Sequence, residues 1–151
     1  MTTDTNTVIP DNKEIVQRST STDVVQLRVE TATNVKNGRL VIRGTTDGDC
    51  IVATNEIASA IGWVIRDETD PVVRETDRTT DYTAGNIVAV CSGPGTKLVV
   101  SASAAAEYKN KMVSAGAGQV KPFSADAADT IVAVADHSIS ATGFLVVTSL
   151  I

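Results

Sequence analysis

Aromatic side chains are scarce in this sequence: one Trp, two Tyr and two Phe among 151 residues. Apolar residues make up 42% of the chain, so a core must be filled with Val, Ile, Leu and Ala, with Trp63, Phe123 and Phe144 as its large anchors. Such a core is light. Apolar area removed from water yields only about 25 cal/mol per Å², which points to further burial between subunits. Sugar rings stack on exposed aromatic rings, and only Tyr82 and Tyr108 look free for that purpose.

Clustered positive charge is also missing, and the formal net charge is −5. A free-standing nucleic-acid binder neutralises phosphates with grouped Lys or Arg, so that class is set aside. No apolar run approaches the roughly 20 residues of a membrane-spanning helix, and residues Met1–Asn6 lack the basic segment and apolar core of a signal peptide. The expectation is a chain made in the cytoplasm that stays soluble, with no membrane partner.

Residues that do chemistry are equally few. The one histidine lies in Ala135-Asp136-His137-Ser138, where adjacent residues of a turn do not converge on one reacting atom; it reads as a solvated loop histidine. Cys50 and Cys91 sit in apolar runs, outside any Cys-x-x-Cys or Cys/His cluster. They read as buried free thiols, with a disulfide between neighbouring strands as the alternative. Ser92-Gly93-Pro94-Gly95-Thr96-Lys97 lacks phosphate-loop spacing and reads as a hairpin turn, and Gly116-Ala117-Gly118 fails the dinucleotide fingerprint. The carboxylates at Asp47 and Asp49, and at Asp67, Glu68 and Asp70, lack the full spacing of a calcium loop. No catalytic, cofactor or metal site is assigned, and the expectation is not an enzyme.

What the chain does contain is a succession of short Val/Ile/Ala-rich runs behind Gly, Asp or Asn: 40–43, 50–53, 60–65, 86–91, 97–101, 130–135 and 143–149. β-Branched residues suit a half-buried pleat, and Asx-Gly pairs such as Asn37-Gly38 and the Asp47-Gly48-Asp49 punctuation suit tight turns. The fold class is therefore mainly β, a small barrel or sandwich. Asp23–Val29 partly alternates apolar with polar and reads as the first strand or a hinge. Residues 1–22, rich in Thr, Ser, Asp and Asn with Pro10 and one small apolar cluster at Val8 and Ile9, read as an extended N-terminal arm on a single β-rich domain, 23–151. The Ala-rich stretch 101–112 reads as the one short helix, 55–60 as a helical turn, and the polar stretch 66–82 as a long contact loop.

The order of the phrases Ala60-Ile61-Gly62-Trp63-Val64, Ala84-Gly85-Asn86-Ile87-Val88-Ala89-Val90, Gly116-Ala117-Gly118-Gln119-Val120-Lys121-Pro122 and Ala141-Thr142-Gly143-Phe144-Leu145-Val146-Val147 resembles the small capsid decoration, or cement, proteins of tailed viruses of bacteria and archaea. The resemblance covers about residues 35–151, and the charged stretch 66–82 departs from it. It implies a protein that binds the outside of the viral head shell, commonly as a homotrimer, and holds neighbouring capsomers together, with the major capsid protein as partner. An extended arm that adds a strand to an exposed sheet edge would fit that role. Val8, Ile9, Pro10, Ile15 and Val16 are the candidate capsid-binding residues of the arm, and Arg66, Arg74 and Arg78 those of the loop, since Arg pairs well with carboxylates. The alternative is a virion-surface fibre or a receptor- or glycan-binding β-module.

Overall fold

The computed structural model describes residues 9–10, 13–54, 60–66, 77–124 and 130–151. Eleven strands are defined among them: β1 (Ile15–Gln17), β2 (Asp23–Val29), β3 (Leu40–Arg43), β4 (Asp49–Val52), β5 (Ala60–Ile65), β6 (Ile87–Ser92), β7 (Lys97–Ala102), β8 (Lys111–Gly116), β9 (Gln119–Pro122), β10 (Ile131–Ala135) and β11 (Gly143–Ser149). Strands β2 to β6 close into a barrel in the order β2-β4-β3-β5-β6. Strands β7 to β11 form a sheet in the order β7-β11-β10-β8-β9, which closes through a parallel contact between Ala102 and Val120. β1 is added to the outer edge of β7.

The two barrels are copies of one topology, pair for pair. In the first, Leu27 lies opposite Val88, Val64 opposite Val90, Val41 opposite Gly62 and opposite Val52, and Val29 parallel to Cys50. In the second, Val100 lies opposite Leu145, Ala135 opposite Val147, Met112 opposite Ala133 and opposite Pro122, and Ala102 parallel to Val120. Even the irregularity matches: the β3–β5 register slips after Val41, and the β8–β10 register slips after Met112. The Ala84–Val90 and Ala141–Val147 phrases fall on equivalent strands, β6 and β11.

Side-chain alternation along β5 and β6 explains their unbroken apolar composition. Val64, Val88 and Val90 point into the first barrel, where they join Leu27, Val29, Val35, Val41, Cys50 and Tyr82. Their neighbours Trp63, Ile65, Ala89 and Cys91, with Leu40, point outward and join the core of the second barrel, including Leu98, Val100, Met112, Leu145 and Val147. A strand buried on both faces has no position left for a polar residue. Trp63 is fully buried, and its Nε1–H donates to Ser149 Oγ at 3.3 Å. Backbone bonds stitch the same seam: Ser101 N–H to Gly38 O at 3.0 Å, Leu40 N–H to Gly118 O at 2.8 Å and Gly118 N–H to Ala53 O at 3.1 Å. At Gly118 (φ +73°) a Cβ would lie 2.9 Å from Arg39 Cβ, so the β8–β9 turn reaches this close only with glycine.

The mainly β, barrel-forming reading holds, and the short helix does not. Residues 101–112 contribute the end of β7 and the start of β8, and Ala106 pairs with Ile139 through two backbone bonds of 3.1 and 2.9 Å. An isolated helix of a dozen residues is marginal in water, and Ala side chains also fit where Ala102 and Ala106 are buried against the second core. Ser92–Lys97 is not a hairpin turn either. It carries the chain from β6 in one barrel to β7 in the other, and at Gly93 (φ +124°) a Cβ would lie 2.2 Å from Ser21 O. The helical turn expected at 55–60 lies outside the described residues except for Ala60, which opens β5.

Candidate attachment surface

The root of the N-terminal segment is fixed by a buried carboxylate. Glu14 is 1% exposed and lies between two guanidinium groups. Arg66 gives it a backbone N–H at 2.7 Å and Nη2 at 2.8 Å; Arg78 gives it Nε at 3.2 Å. The hydrogen bond to Glu14 holds the Arg66 pKa above the ordinary arginine value. Arg78 Nη2 also donates to Lys13 O at 2.7 Å and to Pro10 O, and its guanidinium lies 5.5 Å from the centre of the Phe144 ring. From this clamp the chain enters β1, where Val99 N–H donates to Glu14 O at 2.8 Å. Ser19 Oγ then donates to Pro94 O at 2.8 Å, and Thr22 Oγ1 meets Thr96 Oγ1 at 2.5 Å before β2 begins.

The eight residues singled out in the sequence therefore separate. Ile9 and Pro10 are half-buried beside the clamp, Ile15 packs against the second core, and Val16 is 39% exposed. Arg66 and Arg78 are drawn together, facing Glu14 within the subunit. Val8 and Arg74 lie outside the described residues, as do positions 67–76 of the polar stretch. The end of that stretch returns to the body: Tyr82, read as free, is fully buried in the first barrel and donates its hydroxyl to Asn37 Oδ1 at 2.7 Å. Asp77 caps the return, and hydrogen bonds from Thr80 and Thr79 pull its carboxyl down to about 2.

Two further readings are corrected. His137 is not solvated; it is 4% exposed, and its Nε2 accepts the Val146 N–H at 2.9 Å, which binds the loop after β10 to β11. Phe123 is 38% exposed and is no core anchor, whereas Trp63 is. Both cysteines are free thiols, Cys50 inside the first barrel and Cys91 in the seam between barrels; burial pushes each up to about 11.

Among the described residues, the large apolar side chains that face solvent are Val16, Val25, Tyr108, Phe123 and Leu150. A shallow depression lined by Gln26, Arg28, Asp47, Gly48, Asp49 and Ile87 flanks the short β2–β4 seam, where Arg28 Nε holds Asp49 at 2.8 Å. An extended segment and an exposed strand edge are the kinds of surface on which a further strand can pair.

The chain matches no protein-family model and no curated protein sequence. Among solved structures its fold is similar to the N base of the head fibre protein gp8.5 of bacteriophage phi29. The TM-score is 0.56 and the identity 14%, over 85% of this chain and 93% of that one. At that identity the likeness is one of fold.

Proposed function

We propose that this protein is a structural component of a tailed-virus virion, bound to the outer surface of the head shell and made in the host cytoplasm. The observation that supports this most is the likeness of its barrel fold to the base of a phage head fibre, spanning nearly the whole of that chain. In this reading the partner is the major capsid protein, the subunit is a homotrimer, and the role is mechanical, with no enzymatic step, nucleic acid or membrane involved. Contact with the shell runs through the N-terminal segment, where Pro10 and Val16 flank the Glu14 clamp, and through the apolar side chains of the body. Arg66 and Arg78 act by holding that segment in place, and holding capsomers together is the cement role.

A second reading, a surface fibre or receptor-binding module, is favoured by the same neighbour's being part of a fibre and by Tyr108, which is 59% exposed with Lys109 Nζ 5.3 Å from its ring centre. Co-sedimentation of the purified protein with shells that lack it separates the two. Saturable binding and raised thermal resistance of the shells would support cement. Saturable binding with unchanged shell resistance would move the role to the fibre reading, and absence of binding would remove the shell as partner.

A further inference from the structure

The duplication of the barrel shows what one edge of the molecule lacks. β2 and β7 are equivalent strands, and in the second barrel the edge of β7 is covered by β1. Ile15 lies beside Leu98, which is fully buried, and Val99 N–H donates to Glu14 O. The equivalent edge of β2 has no such strand among the described residues. β2 meets β4 only at Arg28 and Val29, so Val24 and Gln26 turn their N–H and C=O groups outward, away from β6. Val25, the counterpart of Leu98, is 44% exposed. The β2–β6 ladder runs through six successive pairs without a bulge, so the edge lacks the irregularity that usually protects such strands from pairing.

We propose that the β2 edge receives the segment Thr7-Val8-Ile9 of a second copy of this chain, laid down as Glu14-Ile15-Val16 lies on β7. The two segments share one pattern, a polar residue followed by two β-branched apolar residues, and Val8-Ile9 is the only such pair ahead of β1. In this register Thr7 O takes the Gln26 N–H as Glu14 O takes that of Val99, and Val8 covers Val25 as Ile15 covers Leu98. Pro10, which has no N–H, ends the pairing. The donor is a second copy because of direction. The chain runs from Pro10, whose carbonyl is held by Arg78 beside Phe144, past Val99 at Glu14 and on toward Pro94 and the start of β2, so the described residues ahead of Glu14, Pro10 and Lys13 among them, lead away from the start of β2 in their own subunit. Donation from one copy to the next is a heterologous contact, which gives a ring where the rotation between copies closes. The inference rests on the homo-oligomer proposed above; it assigns Val8 and Ile9 to the neighbouring subunit and leaves Pro10 and Val16 for the shell.

The test is the mass of the full chain in solution by sedimentation velocity, beside a chain lacking residues 1–9, Gln26→Pro and Val25→Lys. Gln26→Pro removes an outward N–H that the β6 ladder does not use, and Val25→Lys puts a charge on the edge. Circular dichroism and melting temperature establish that each variant is folded. A multimer that falls to monomer in all three variants supports the proposal. Cross-linking between copies of a Val8→Cys, Val25→Cys double variant supports it further, the native thiols being buried. A monomeric full chain, a multimer that survives the arm deletion, or one that survives both β2 variants overturns it. Shell binding is measured on the same proteins: loss of shell binding with an intact multimer overturns the shell contact alone, and loss of the multimer by folded variants that still bind shells supports the edge contact alone.

Discussion

The two barrels share their strand pairings and differ in what their outer walls carry. At outward positions of the first stand Leu40, Trp63, Ala89 and Cys91, all buried against the second. The equivalent positions of the second, found by matching the pairings, carry Lys111, Val134, Val146 and Thr148, of which Lys111 is exposed, Val134 and Thr148 are half-buried and Val146 is buried. The topology is the same in both, and one wall is apolar. The lesson is that barrel closure asks little of outward residues, so an interface can be written on them without disturbing the ladder.

Trp63→Ala against Val134→Ala is the hardest pull on that comparison. Truncating the buried Trp is expected to cost about 3–5 kcal/mol and to loosen both barrels together. Its counterpart on the open wall should cost about 1 kcal/mol, with urea unfolding as the measure. Equal losses would mean that the seam is not what joins the halves.

Next comes Glu14→Gln, which leaves two guanidinium groups in a buried site without their counter-charge and is expected to cost about 3 kcal/mol. Asp136→Asn, on the half-exposed pair with Lys97 at 3.0 Å, should cost less than about 1 kcal/mol. In the Glu14 variant, hydrogen exchange should speed up at Ile15–Gln17 while β2 stays protected.

A smaller effect is expected at the passage between the barrels. Gly93→Ala forces a positive φ on an L-residue and a clash with Ser21 O, at about 1–3 kcal/mol. Gly48→Ala in the β3–β4 turn meets open space and should cost about 1 kcal/mol. Melting temperatures of the two variants rank them.

The smallest effect is a slope with pH. Cys50 and Cys91 titrate near 11 when folded and from about 9 when unfolded. The native state therefore holds protons that the unfolded chain gives up, and stability is expected to be complete below pH 9 and to fall between pH 9 and 11. A Cys50→Ala, Cys91→Ala double variant should lose that slope, read from urea midpoints at successive pH values. At pH 8 both thiols of the wild-type chain should resist alkylation until it unfolds.

Strand positions were legible because Val/Ile runs behind Gly and Asx state both the pleat and the turn; β3, β5, β7, β10 and β11 lie where those runs lie. Side-chain environments were less so. Tyr82 sits in a polar stretch, and what buries it is packing against Val35, Val41 and Val64 of the first barrel, with its hydroxyl satisfied by Asn37, forty-five residues away. His137 likewise has loop neighbours in sequence and β11 as its neighbour in space. The Ala-rich stretch carried a helical propensity that strand pairing and burial overrode. The duplication left a signal at Ala84–Val90 and Ala141–Val147, but the other equivalent positions, such as Val41 and Met112 or Cys50 and Val120, share only apolar character. The Glu14 clamp left none, because its arginines lie fifty and more residues further along the chain.

The apolar outer wall of the first barrel also sets an order for synthesis. A chain that has reached Ser92 has all five strands of that barrel, yet Leu40, Trp63, Ala89 and Cys91 still face water. Their cover is complete only when β11 has been made, nearly sixty residues later. Until then the nascent chain carries a sticky side that a ribosome-bound chaperone or a neighbouring nascent copy can find. A gene fragment ending at Ser92 is therefore expected to yield insoluble protein, although it encodes every strand of a closed barrel.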